Sequence, residues 1–129
     1  MTVMTIIGLG LDVTEISRIQ YMLERYAARF HDRIYTPGEV AYCQRRRDQA
    51  SSFAARFAAK EAAMKALGTG RSRGVLWRDV EVVRTFGPPQ LRFHGGAARR
   101  FAEMNGASSF LTLTHAGELA IAQVILVGS

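Results

Sequence analysis

Over residues 51–67 alanine recurs and neither glycine nor proline occurs. Alanine gives up no side-chain freedom on entering a helix, so a stretch of this length without a breaker predicts one uninterrupted α-helix. Gly68 follows where a left-handed cap would end it. Phe53, Phe57, Glu61 and Lys65 fall on a single i, i+4 row of that helix. The two phenylalanines are expected to face the interior, and a carboxylate on their row needs a partner. Lys65, one turn on, is the ordinary partner. A bound cation is the other: Mg²⁺ takes oxygen ligands, with one or two carboxylates and the remainder from water and phosphate.

Around this helix the rest of the chain reads as a mixture of elements. Residues 3–11 are apolar and too few for a helix, which predicts a buried strand that delivers Asp12 at its end. Thr14 and Glu15 then open a helix whose Ile16, Ile19, Leu23, Tyr26 and Phe30 recur at steps of three and four. Beside that apolar face runs a second stripe made of Arg18, Met22, Arg25 and Arg29. Pro37 and Gly38 interrupt the chain before a short helix over 39–47, and 68–74 forms a basic, glycine-rich loop expected to be mobile. Short strands are predicted at 80–84 and 90–94 around the turn at Gly87, Pro88 and Pro89. A helix at 97–104, a strand at 110–114 and a longer apolar strand at 119–127 complete the series. With the short 39–47 segment left out of the count, the order β-α-α-β-β-α-β-β predicts an α+β fold in which an antiparallel sheet carries one long packed helix.

The 129 residues are 48% hydrophobic, enough to build one domain over 1–129 without disulfide or structural metal. Cys43 is the only cysteine. No intrachain disulfide and no Cys₄ or Cys₂His₂ zinc site can therefore form, and a reducing cytoplasmic setting is expected. The N-terminal apolar run has no basic leader and stops at Asp12, unlike a signal peptide, and no other stretch is long enough to span a membrane. Seventeen Lys and Arg against eleven Asp and Glu give a formal charge of +6, which favours an acidic partner. Nucleic acid, an anionic cofactor, an acidic protein or a membrane surface would each satisfy that charge.

Chemistry concentrates at three places: Asp12 after the first strand, Lys60, Glu61 and Lys65 in the alanine-rich helix, and His115 late in the chain. Singly, each has an ordinary structural reading as a cap, a solvated face or a structural histidine. Other signatures fail. Gly8 and Gly10 lack the third glycine of a dinucleotide fingerprint, since position 13 is Val, and 68–74 lacks a P-loop ending. His31 and His94 have no ligand-spaced companions, and Cys43 reads as a small buried residue.

Four segments together carry a resemblance: GLGLDVTEISRI, FHDRIYTPGEVAYC, RFAAKEAAMKALGTG and FLTLTHAGELAIAQV. In order and spacing they resemble the bacterial holo-acyl-carrier-protein synthases, a family of phosphopantetheinyl transferases, across nearly the whole chain. The resemblance implies transfer of 4′-phosphopantetheine from coenzyme A to a serine of an apo-acyl carrier protein. It implies Mg²⁺ held by Asp12 and Glu61, and phosphate charge met by Lys60 and Lys65. His115 would lie near the cofactor phosphates, Arg56, in the run ahead of the Lys-Glu pair, would bind the cofactor, and Gly68 and Gly70 would lie near its adenosine. Arg18, Met22, Arg25 and Arg29 would form the docking surface for the acidic carrier. Catalysis would rest on Glu61, Lys65 and His115, with Glu61 acting through a water as first choice of base and His115 as second. A homotrimer with active sites at its subunit interfaces is also implied. Thr112 and Thr114 stand where the family often has serine, and Ala116 where a hydroxyl residue is frequent. Two other readings remain: a basic module that binds RNA or DNA without catalysis, and a different Mg²⁺-dependent phosphoryl or nucleotidyl transferase. Against the first, there is no interleaved aromatic platform for stacking bases, and carboxylates at 12 and 61 repel phosphate unless a cation lies between.

Overall fold

A computed structural model describes residues 3–70 and 72–129; Arg71, in the predicted 68–74 loop, lies outside the described residues. The alanine-rich segment forms the helix expected, α4 (Gln49–Leu67), with the elements α1 (Ile16–Tyr26), α2 (Ala28–Ile34) and α3 (Pro37–Gln44) before it. Asp48 opens α4 by accepting the Ser51 N–H at 3.1 Å, and Gly68 closes it in the left-handed conformation, φ 72°. At the start of α3, Thr36 and Glu39 form a reciprocal capping box with proline inside the first turn.

Two antiparallel sheets carry the strands. β1 (Thr5–Glu15), β5 (Leu119–Gly128) and β4 (Gly106–Ala116) make one sheet in the order β1-β5-β4, and β2 (Val80–Val83) pairs with β3 (Gln90–Phe93) in the other. The remaining helix, α5 (Gly95–Glu103), joins the two. The antiparallel α+β architecture agrees with the alternation in the sequence. β1 is longer than predicted, however: its ladder continues through Thr14↔Ala120 and Glu15↔Leu119, so Asp12 lies inside the strand instead of at its end.

α4 covers one face of the larger sheet at very short range. A methyl group on Gly10 would stand 1.7 Å from the Ala62 carbonyl oxygen, and one on Gly8 would stand 2.2 Å from that of Ala66. Only glycine permits this strand and this helix to touch backbone to backbone. Ala120, Ala122, Val124 and Leu126 of β5 complete the contact. On the opposite face Leu9, Leu11, Val13 and Phe110 are exposed, each by more than half.

The single helix expected from residue 14 onward is in fact two. Ala27 adopts φ 47°, ψ −124°, and breaks it. No glycine or proline marks the place. The strain of a positive φ at alanine is offset by what the turn buries: Phe30 and Ile34 reach the core built around Tyr35 and Phe53, whereas Tyr26, expected on the core face, stays 39% exposed. No helix among the described residues is long and apolar enough to cross a membrane.

Candidate active site

The close approach of β1 and α4 brings the strand's carboxylate to the helix's charged row. Lys65 Nζ lies 3.0 Å from Asp12 Oδ1 and 2.9 Å from the Leu11 carbonyl oxygen. The other carboxylate oxygen of Asp12 accepts from Thr14 Oγ1 at 2.8 Å. The Asp12 side chain is 14% exposed and that of Lys65 52%, so the carboxylate is largely covered while the ammonium is half open to solvent. Glu61, half-buried, is one turn before Lys65 and next to Ala62, whose carbonyl lies against Gly10. Among the described residues no group of three or more His, Cys, Asp or Glu is placed to hold a metal. Two carboxylates with oxygen-only donors are nevertheless the set that Mg²⁺ commonly uses.

His115 occupies the same end of the same sheet face. Ladder pairing runs Thr14↔Ala120↔His115, and alternation turns His115, like Thr14 and Asp12, toward α4. Its Nε2 is 3.2 Å from the Ser51 carbonyl oxygen. A carbonyl can only accept, so Nε2 carries the proton and Nδ1 is the basic nitrogen. Nearby, hydrogen bonds from Ser51, helped by the proximity of His115, hold the Asp48 carboxyl below its ordinary range.

The expected phosphate contact of Lys60 requires correction. Its side chain is 0% exposed and its ammonium donates to Glu39 Oε1 at 2.8 Å, to the Trp77 carbonyl at 3.2 Å and to the Val80 carbonyl. All three protons are committed inside the protein. Burial pushes the Lys60 ammonium below its ordinary value, and Glu39 opposes that shift. Arg56, one turn earlier on the same row, is also buried, but it borders a small cleft of about 190 Å³ that Arg45, Arg84, Arg92 and Glu81 line with it. Its guanidinium carbon lies 4.0 Å over the Tyr42 ring, one nitrogen reaches Ser52 Oγ at 3.3 Å, and Nε is buried without a partner among the described residues. Gly68 and Gly70 both have positive φ, and Arg100 ties α5 to this turn by donating to the Leu67 carbonyl at 2.9 Å.

Of the four predicted docking residues, Arg18, Met22 and Arg29 line one groove of about 480 Å³ although the helix carrying them is broken. Arg25 is not among its lining residues; its guanidinium lies over the Tyr26 ring. Sequence reasoning missed Arg33 on the rim and the apolar floor, where Phe57 and Trp77 stack with centroids 5.1 Å apart. The interior phenylalanine row pointed to Phe57, but nothing in the local sequence pointed to Trp77.

The chain matches the 4′-phosphopantetheinyl transferase superfamily over residues 8–124. It is 52% identical over 124 residues to a holo-[acyl-carrier-protein] synthase of Solibacter usitatus, covering 94% of this chain and 98% of that one. Among solved structures it resembles the holo-[acyl-carrier-protein] synthase of Neisseria meningitidis, with TM-score 0.86, 27% identity, and 95% and 98% of the two chains covered. It also resembles that of Bacillus anthracis in complex with CoA (3′,5′-ADP), with TM-score 0.78, 34% identity, and 98% and 100% covered. Both the matched length and the antiparallel α+β fold agree, and the chain belongs to the holo-[acyl-carrier-protein] synthases of the 4′-phosphopantetheinyl transferase superfamily.

Proposed function

We propose that this enzyme transfers 4′-phosphopantetheine from coenzyme A to a serine of an acyl carrier protein, releasing adenosine 3′,5′-bisphosphate, with Mg²⁺ held by Asp12 and Glu61. The observation that carries the reading is the contact of Lys65 with Asp12, which draws the charged row of α4 onto the carboxylate of β1. In the reaction the serine oxygen bonds to phosphorus, the bond from phosphorus to the bisphosphate oxygen breaks, and the serine proton goes to a base. Catalysis of this kind needs alignment of two substrates and stabilisation of negative charge on phosphate oxygens, with no enzyme nucleophile. A Mg²⁺ at the two carboxylates supplies a Lewis acid for those oxygens. Lys65, half-exposed beside Asp12, adds a fixed positive charge, and Arg56 brings its guanidinium charge to the wall of the arginine-lined cleft. Glu61 is the first choice to accept the serine proton; the free Nδ1 of His115 is the second.

The groove rimmed by Arg18, Arg29 and Arg33 over Phe57 and Trp77 suits an acidic helix with apolar side chains on one face. The uncovered apolar face of β1, β5 and β4 supports assembly into a trimer, which would remove it from water. We place the activity in the cytoplasm, in fatty-acid synthesis. Incubation with coenzyme A, Mg²⁺ and an apo carrier protein, followed by mass spectrometry of the acceptor, tests the reading. A gain of one phosphopantetheine is expected, dependent on Mg²⁺, and an unmodified acceptor would overturn it.

A further inference from the structure

Lys60 and Glu39 form an ion pair in which both side chains are fully buried. Two apolar residues of the same volume often serve a core as well or better, so stability alone is a weak reason to find such a pair here. The remaining bonds of the pair lead elsewhere. Lys60 also donates to the carbonyls of Trp77 and Val80, while Glu39 accepts the Thr36 N–H through Oε1 and the Val82 N–H through Oε2, each at 2.9 Å. Trp77 is part of the apolar floor of the groove between α1 and α2. Val82 lines the arginine cleft beside Arg56, and Arg56 precedes Lys60 by one turn. The pair therefore lies between the two clefts and is bonded to a wall of each.

We propose that Lys60, held by Glu39, is a positioning residue that fixes the carrier groove and the arginine cleft relative to one another, acting through Trp77 and Val82 without touching either substrate. The inference rests on the two-substrate transfer proposed above. An ammonium has three directional donors, and here all three are used. A small rotation or slide of α4 breaks at least one of them, and the same movement would displace Arg56 on one side and Phe57 on the other. Misplacement of about 1 Å costs transfer reactions on the order of 10²-fold.

The test is the double variant Glu39→Gln with Lys60→Met, which removes both charges while the new carboxamide keeps an oxygen for the capping N–H. Coenzyme A affinity is read by calorimetry, KM for the carrier by turnover, and packing at the groove floor by the emission of Trp77, the only tryptophan. For a variant that melts cooperatively we expect coenzyme A to bind roughly tenfold or more weakly and KM for the carrier to rise by a similar factor, with the Trp77 emission shifted. A change in only one of the two affinities, or in neither, overturns the inference. If the double variant does not fold, Glu39→Asp, which keeps both charges and shortens the strut by one methylene, is read in the same way. Transfer by the unaltered chain is measured alongside: its absence would remove the underlying function, whereas an unaffected variant removes only the positioning role.

Discussion

Lys60 and Lys65 lie close together on one alanine-rich helix, yet their ammonium groups meet opposite environments. The first is fully buried against Glu39 and two backbone carbonyls; the second is 52% exposed and touches Asp12. Five residues of helix turn them roughly 140° apart, so one faces α3 and the other faces β1. Two positive charges in one motif therefore do different work. Lys60 holds protein to protein, and Lys65 keeps its positive charge half-exposed beside Asp12.

The contrast between the two lysines breaks most visibly on the exposed side. Asp12→Ala and Glu61→Ala should each cut transfer by about 10²- to 10³-fold, the scale lost with a main electrostatic stabiliser, with melting temperature retained; normal turnover by either variant contradicts the metal assignment. On the buried side, Lys60→Met leaves Glu39 uncompensated and should lower unfolding free energy by about 3–5 kcal/mol in urea titration. Lys65→Met should cost less, about 1 kcal/mol, because its ammonium is half-exposed although Asp12 is largely covered, while lowering transfer about 10- to 100-fold. Equal stability losses at the two lysines would erase the contrast.

Smaller effects sharpen it. Arg18→Glu reverses charge at the rim of the proposed docking groove and should raise KM for the carrier about tenfold, chiefly through slower association. Coenzyme A affinity should be unchanged, because the arginine cleft lies elsewhere. The smallest effect concerns Glu81, which links the buried network to the surface through Thr36 and His94. Burial raises its pKa, but hydrogen bonds from His94 and Thr36 and the charges of His94 and Arg92 outweigh burial and hold it below the usual carboxylate value. The stabilisation it contributes is present above the ordinary carboxylate range and lost as pH falls through the depressed value. His94→Ala should therefore be slightly less stable than the parent above the ordinary carboxylate range and equal to it in strong acid, as followed by denaturant melts across pH.

Residues whose environment is local were legible in the sequence. The alanine run, the Gly68 cap and the strand alternation each encode their own geometry within a few positions, and α4, β2, β3 and β5 follow from them. The row of Phe53, Phe57, Glu61 and Lys65 likewise placed Lys65 on the correct side of its helix. Lys60 was not legible, because its burial depends on Glu39, 21 residues away, and on a capping box that aims the carboxylate inward. Ala27 was missed for a related reason: its strained φ is supported by Phe30 and Ile34 packing around Tyr35, and periodicity carries no information on that support. Asp12 was expected at the tip of a strand because hydrophobicity ends there, but pairing with β5 continues for three more residues.

Cys43 bears on how the chain would meet coenzyme A, the co-substrate proposed above. Its side chain is 0% exposed, and burial raises its pKa so that little thiolate forms. Coenzyme A itself ends in a sulfhydryl and oxidises readily to disulfide forms. A chain whose sole sulfhydryl is sealed in the core offers those forms no site for exchange, so prolonged contact with aged cofactor should leave it free of mixed adducts. A cysteine placed on its surface for labelling would then react alone.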